Sequence, residues 1–460
     1  MGKGMKSIVC LVGAVALFTM LGCGSSIYHP ATPLNQWTWV GGSNTANQAG
    51  TYGTQGTPAS GNVPGARSNA VSWTDNWGNF WLFGGSGLDS AATQGQLNDL
   101  WVDSNNRWTW VSGSSTVNQP GSYGNQGTGS TGNTPGARSN AVSWTDYQSN
   151  LWLFGGSGID SVGIQGQLSD LWVFNRSQWI WVSGSNLANQ KGIYGTQGTG
   201  AGSNLPGARS NAVSWTDNYG NLWLFGGYGY DSAGTLGQLN DLWVFNGRQW
   251  TWVSGSNIVN QAGTYGTQGT GAAGNVPGAR SNAVSWTDYY GNLWLFGGAG
   301  YDSAGTQGQL NDLWVFNGKQ WTWVNGANTV NQAGTYGTQG TGAAGNVPGA
   351  RSNAVAWVDG GGNLWLFGGT GLDSAGTQGQ LNDLWAFNGK QWVWVNGADT
   401  VGQSGVYGTQ GKTASGNVPG SRADAVSWTD GSGNLWLFGG TGYDSGGAQG
   451  QLNDLWAFVR

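Results

Sequence analysis

Residues 277–324 read PGARSNAVSWTDYYGNLWLFGGAGYDSAGTQGQLNDLWVFNGKQWTWV, and this stretch decides the fold. Residues 281–286 (SNAVSW) form a short strand candidate, and 288–292 is a glycine-containing turn. In LWLF, Leu293 and Leu295 fall on one face and Trp294 and Phe296 on the other, the two-residue period of a strand. The glycines Gly297 and Gly298 are read as its end, at backbone angles or a close approach that a Cβ would forbid. After a polar loop, residues 313–316 (LWVF) make a third strand. Asn317-Gly318 then signals a tight hairpin turn. Residues 321–324 (WTWV) make a fourth strand, with both indoles on one face. A four-stranded sheet that is apolar on both sides cannot expose either side to water. Stacking copies of it satisfies both.

The copies are present. PGAR begins at Pro64, Pro135, Pro206, Pro277 and Pro348 and returns as PGSR at Pro419, each step being 71 residues. The first Trp of the W-x-W motif keeps the same step at Trp37, Trp108, Trp179, Trp250, Trp321 and Trp392. Five tryptophans recur per unit and account for thirty of the 31; Trp77 is the extra one. Rings of this size suit the wedge-shaped gaps between radially stacked sheets. The chain opens on a lone fourth strand (36–40) and closes on a third (455–458), so pairing its ends completes a sixth sheet and removes an orphan edge. The expectation is an all-β, six-bladed β-propeller of four-stranded antiparallel blades, closed by pairing the N-terminal strand with the C-terminal blade.

At this point the repeat resembles the kelch family. The likeness rests on P-x-x-R, LWLFGG, NDLW and W-x-W recurring six times over residues 36–460. It implies a β-propeller. Kelch units often carry a His in the first strand, where this chain has Asn69, Asn140, Asn211, Asn282, Asn353 or Asp424. Kelch-like copper oxidases need His, Tyr and Cys around their metal. Here the one His is His29, ahead of the ring, and no Cys lies in it. Imidazole or thiolate metal sites and Ser-His or Cys-His nucleophiles are therefore not expected, nor is any cofactor. Kelch sugar mutarotases imply an acid or base, and with 21 Asp and no Glu only aspartate could serve.

The first 22 residues read as a lipoprotein-type signal peptide. Lys3 and Lys6 precede an apolar stretch, 8–20, too short to span a bilayer, which ends in Leu21-Gly22-Cys23. Cys23 is the expected lipidation site, and residues 23–35 form a tether reaching at most about 40 Å. Removing the signal leaves 14 basic and 21 acidic residues, a net charge of −7. That balance argues against nucleic acid as a partner. Localisation is expected at the outer membrane or cell surface, as a monomer.

Three sets of repeated residues are candidates for function. The inter-blade stretch carries Tyr52, Tyr123, Tyr194, Tyr265, Tyr336 and Tyr407 beside glutamines. A ring next to amides is what sugar recognition uses, although the same tyrosines could instead pin the loop. Arg67, Arg138, Arg209, Arg280, Arg351 and Arg422 begin the first strands. Asp99, Asp170, Asp241, Asp312, Asp383 and Asp454 begin the third strands on the same rim, so structural Arg–Asp pairs are expected. The inter-blade and second-to-third loops are read as long (the latter about a dozen residues), which assigns binding of glycan or envelope protein to the rim they share. The alternatives are a structural part of an envelope or extracellular assembly, and a mutarotase-like enzyme for which Asp424 is the one off-repeat carboxylate in a first strand.

Overall fold

Residues 35–460 are described here, in a computed structural model. They form six five-stranded antiparallel sheets arranged as a six-bladed β-propeller. Blade 1 holds β2 (Arg67–Ser68), β3 (Val71–Thr74), β4 (Phe80–Leu88), β5 (Gln94–Asp103) and β6 (Trp108–Ser112). Blades 2 to 5 repeat it over residues 138–183, 209–254, 280–325 and 351–396. Blade 6 spans residues 422–459 and takes its outermost strand from the N-terminal β1 (Gln36–Gly41). There Trp37 lies opposite Phe458 and Trp39 opposite Trp456.

The ring is closed at its axis as well as at its edge. The first strand of every blade breaks at one residue in the left-handed region: Asn69 (φ 56°), its equivalents Asn140, Asn211, Asn282 and Asn353, and Asp424 (φ 62°). Asn and Asp tolerate this region better than other Cβ-bearing residues, which gives the position its composition. Each of these residues donates its N–H to the same position of the preceding blade. The bonds run from Asn140 to Asn69 and onward to Asp424, and Asn69 donates to Asp424 at 2.9 Å to complete the circle.

Between neighbouring blades the aromatic faces fuse into separate cores. In one of them Val213, Trp215, Phe225 and Leu242 of blade 3 meet Leu293, Leu295, Trp314 and Phe316 of blade 4. Trp314 and its five equivalents are wholly buried. A Trp buries roughly 150–250 Å², so these indoles are a large share of what joins one blade to the next.

Two sequence expectations are corrected. The Gly-Gly pair does not end the second strand: β4 continues through Gly84 (φ 64°) and Gly85 (φ 99°) to Leu88. The pair forms a bulge, with the register shifting between the Phe83–Leu100 and Gly85–Leu97 pairs. A Cβ on Gly84 would stand 2.8 Å from the Arg138 carbonyl oxygen, and one on Gly85 2.7 Å from that of Ser68. Glycine lets two backbones touch here while pairing resumes beyond them. The connection to β5 is consequently a short turn, 89–93, and only the inter-blade loop is long.

Candidate functional site

The six tyrosines expected to meet ligand do not face solvent. Each is 4–6% exposed, and its hydroxyl donates to the third-strand aspartate of the following blade at 2.6–2.7 Å. Tyr265 packs its ring 4.8 Å from Trp314 and edge-on, at 5.2 Å, to Trp323. These rings pin the long loop onto the blade, and burial holds their hydroxyls well above the usual phenol range. Loop glutamines bond the backbone at the surface: Gln126 donates to the Val182 carbonyl and Gln197 to that of Gly255. An exposed loop of this length must satisfy its own polar groups, and this one spends its aromatic and its amides on doing so.

The Arg–Asp pairs lie within blades, not between them. Arg280 contacts Asp312 through both guanidinium nitrogens at 2.7 Å and also donates to the Gly278 and Gly297 carbonyls. Asp312 further accepts from Tyr265 and from Trp314 Nε1. Burial alone would lower the arginine's pKa, but the paired carboxylate raises it. The same arrangement recurs at Arg67–Asp99, Arg138–Asp170, Arg209–Asp241, Arg351–Asp383 and Arg422–Asp454. It is a structural clasp whose acceptors are used up.

The repeated turn and loop aspartates are committed as well. Asp89 takes the N–H groups of Ala91 and Thr93 on one oxygen and that of Val117 on the other. Asp424 stands alone in the axial ring, and burial pushes its carboxyl up to about 7. No hydrogen bond reaches that carboxylate among the described residues. Cys23 and the tether lie outside the described residues.

The most exposed aromatic residues gather instead on the opposite rim, in the turns joining first and second strands. Trp77 is 63% exposed, Tyr147 67%, Tyr219 88%, Tyr289 88% and Tyr290 84%. The turn explains their display. Asp288 accepts the N–H groups of Tyr290 and Asn292 on one oxygen, and Asn292 Nδ2 and Trp294 Nε1 on the other. This carboxylate closes the turn from inside and leaves its two middle side chains outside. Blades 1 to 4 place aromatics there, whereas blades 5 and 6 read DGGGN (359–363) and DGSGN (430–434).

The turns of blades 1 to 3 are tied to one another. The Tyr147 hydroxyl donates to the Asn218 carbonyl, and Asn76 donates through its side chain to the Tyr147 carbonyl. The Tyr147 ring covers Gly220, where a Cβ would come within 2.8 Å of it. Arg176 sits 4.5 Å over the Trp77 ring. Tyr290 stands between two cavities. One, of about 470 Å³, is also lined by Tyr289, Trp294 and Asn363; the other, of about 240 Å³, by Asn218, Tyr219 and Asn317. A third, of about 400 Å³, opens on the axis and is lined by Ser72, Thr74 and equivalents from five blades. Rings flanked by fixed amides and hydroxyls can stack on an apolar face while bonding its polar edge. Repeat counting reached only Trp77 of this set. The signal that finds the rest is departure from the repeat at the two middle positions of one turn.

No family model matches the chain, and no curated protein does. Three solved structures are similar to it. The protein YjhT aligns with 16% identity over 85% of this chain and 95% of its own, at a TM-score of 0.48. A fungal alcohol oxidase of the AA5 family in complex with copper aligns with 13% identity over 88% and 76%, at 0.44. A protein of unknown function from Dyadobacter fermentans aligns with 9% identity over 94% and 100%, at 0.46.

Proposed function

We propose that this chain is an extracytoplasmic binding propeller of the kelch type, lipid-anchored through Cys23, that captures glycan on its turn face. The observation that carries this reading is the arc of exposed aromatics over blades 1 to 4, with Tyr290 dividing two cavities walled by rings and amides. Every other aromatic set in the repeat is consumed by packing. The repeated carboxylates are likewise consumed by hydrogen bonds, which supports binding over catalysis. β1 enters the ring from this same rim, since Trp37 pairs with Phe458 and Phe458 with Leu435 beside the turn at 430–434. A tether leading to Gln36 therefore keeps the aromatic arc within reach of envelope polymers.

The test is a glycan array and envelope-polysaccharide pull-down with residues 36–460, followed by titration of the best hit. Tyr219→Ala with Tyr290→Ala should weaken binding about tenfold or more, in line with loss of two central aromatic contacts. The far-UV spectrum should not change. Retention of full affinity in that variant, or the absence of any glycan ligand, overturns the reading.

A further inference from the structure

Eighteen of the 21 aspartates occupy the three repeated roles described above; Asp103, Asp399 and Asp424 do not. Asp103 ends the third strand of blade 1, where the other five blades carry Phe174, Phe245, Phe316, Phe387 and Phe458. Each of those rings packs 5.6–5.9 Å from a tryptophan of the preceding blade, as Phe245 does against Trp152. Blade 1 compensates across the strand pair. Phe80, directly opposite Asp103, stands where the other blades have Leu. Its ring lies 5.1 Å from Trp436 and stacks on Trp428 at 5.3 Å. The aromatic volume has moved to the neighbouring strand, which leaves the carboxylate in a place the core no longer needs.

Asp103 is 4% exposed. One oxygen accepts the Asn106 N–H at 3.0 Å, and the other has no partner. No Lys or Arg among the described residues pairs with it, and burial pushes its carboxyl up to about 6. An unpaired buried carboxylate is costly to a fold that gains nothing from it. This one lines a groove of about 650 Å³ at the joint of blades 6 and 1, together with Val40, Asn62, Trp108, Asn453 and Leu455. The equivalent groove one blade on, of about 560 Å³, has Phe174 at the corresponding wall.

We infer that the groove between blades 6 and 1 is a single-copy site for a small organic ammonium ion, with Asp103 as its counter-charge. The groove has the size of a small-molecule site. Its one carboxylate balances one positive charge, its amides accept further N–H or O–H donors, and Trp108 and Leu455 cover an aliphatic body. The site lies apart from the aromatic arc and does not depend on the glycan reading.

The experiment uses methyl-, butyl- and ethanolammonium chloride as probes, by calorimetry and thermal shift on residues 36–460, with butan-1-ol as the uncharged control. At least one ammonium ion should bind and raise the Tm, butanol should not, and Asp103→Asn should weaken binding at least tenfold. Asp103→Phe with Phe80→Leu, which restores the pair found in the other blades, should abolish it and serves where the single variant misfolds. Absence of binding by all three probes, equal binding by Asp103→Asn, or Asp103-dependent binding of Ca²⁺ alone overturns the inference.

Discussion

Replacing Asp312 should unclasp blade 4, and the size of the effect follows from what the carboxylate holds. It accepts both guanidinium nitrogens of Arg280, the Tyr265 hydroxyl and Trp314 Nε1, all at 2.6–2.7 Å. Arg280 and Asp312 are 1% and 0% exposed. Asp312→Ala leaves a guanidinium buried without its counter-ion, a loss of about 3–5 kcal/mol. Tyr265→Phe removes one donor to a charged acceptor that keeps three others, and keeps the ring against Trp314; about 1.5–3 kcal/mol is expected. Arg280→Met with Asp312→Leu removes both charges, so it should cost less than the two single changes combined. Equilibrium urea unfolding, followed by tryptophan fluorescence and by circular dichroism, measures these variants together with the single changes Arg280→Met and Asp312→Leu, provided the two probes coincide. A cost below about 1 kcal/mol for Asp312→Ala, or strict additivity in the double variant, would refute the clasp.

Three further outcomes are expected. Asp103 is raised from 3.8 to about 6 by burial, so the fold favours its protonated form; that contribution is complete below pH 3.8 and is lost as pH rises through 6. Asp103→Asn should thus be more stable than the parent at pH 7, by at most about 3 kcal/mol, and equal to it near pH 3.5, as urea midpoints at the two pH values will show. At the axial ring, Asn282→Ala should cost about 1–2 kcal/mol because alanine pays for the left-handed backbone, while Asn282→Gly should cost less, both read from the same urea midpoints. Deleting residues 36–41 strips the partner strand from Gln449–Val459 and uncovers Trp456, so light scattering should find larger species for the truncated ring than for the intact one.

The clasp and the closure were legible because they depend on spacing alone. Arg67 and Asp99 keep one interval in all six units, and first and third strands run the same way, so their starts must share a rim. A fourth strand at the head of the chain and a third at its end leave one arrangement that satisfies both edges. The two readings of the tyrosines, ligand contact or loop pin, stayed open because a motif of Gly, Gln and Tyr describes a loop without saying which way its ring turns. What turns it inward is a free acceptor on a carboxylate 47 residues away, visible only once the blade is assembled. Gly84 and Gly85 were misjudged for a related reason. A glycine pair ends a strand or bulges it according to what lies opposite, and the Leu97 carbonyl opposite them belongs to a strand whose register the sequence does not state.

The repeat itself bears on which side of the ring is informative. A side chain present six times has been fitted to a packing problem that arises six times, and the tyrosines, arginines and loop aspartates all prove to be solutions of that kind. A ligand smaller than the disc meets its blades unequally, so recognition of it belongs at positions where the blades differ. Two such positions stand out: the middle of the first turn, where aromatics cross blades 1 to 4 and give way to Gly and Ser in blades 5 and 6, and the Phe80–Asp103 exchange in blade 1. Six equal weak sites would have called for a multivalent ligand. An arc with two ends would suit instead one extended ligand lying along it, stacking where Tyr219, Tyr289 and Tyr290 line the two cavities and finding no ring where blades 5 and 6 carry Gly and Ser.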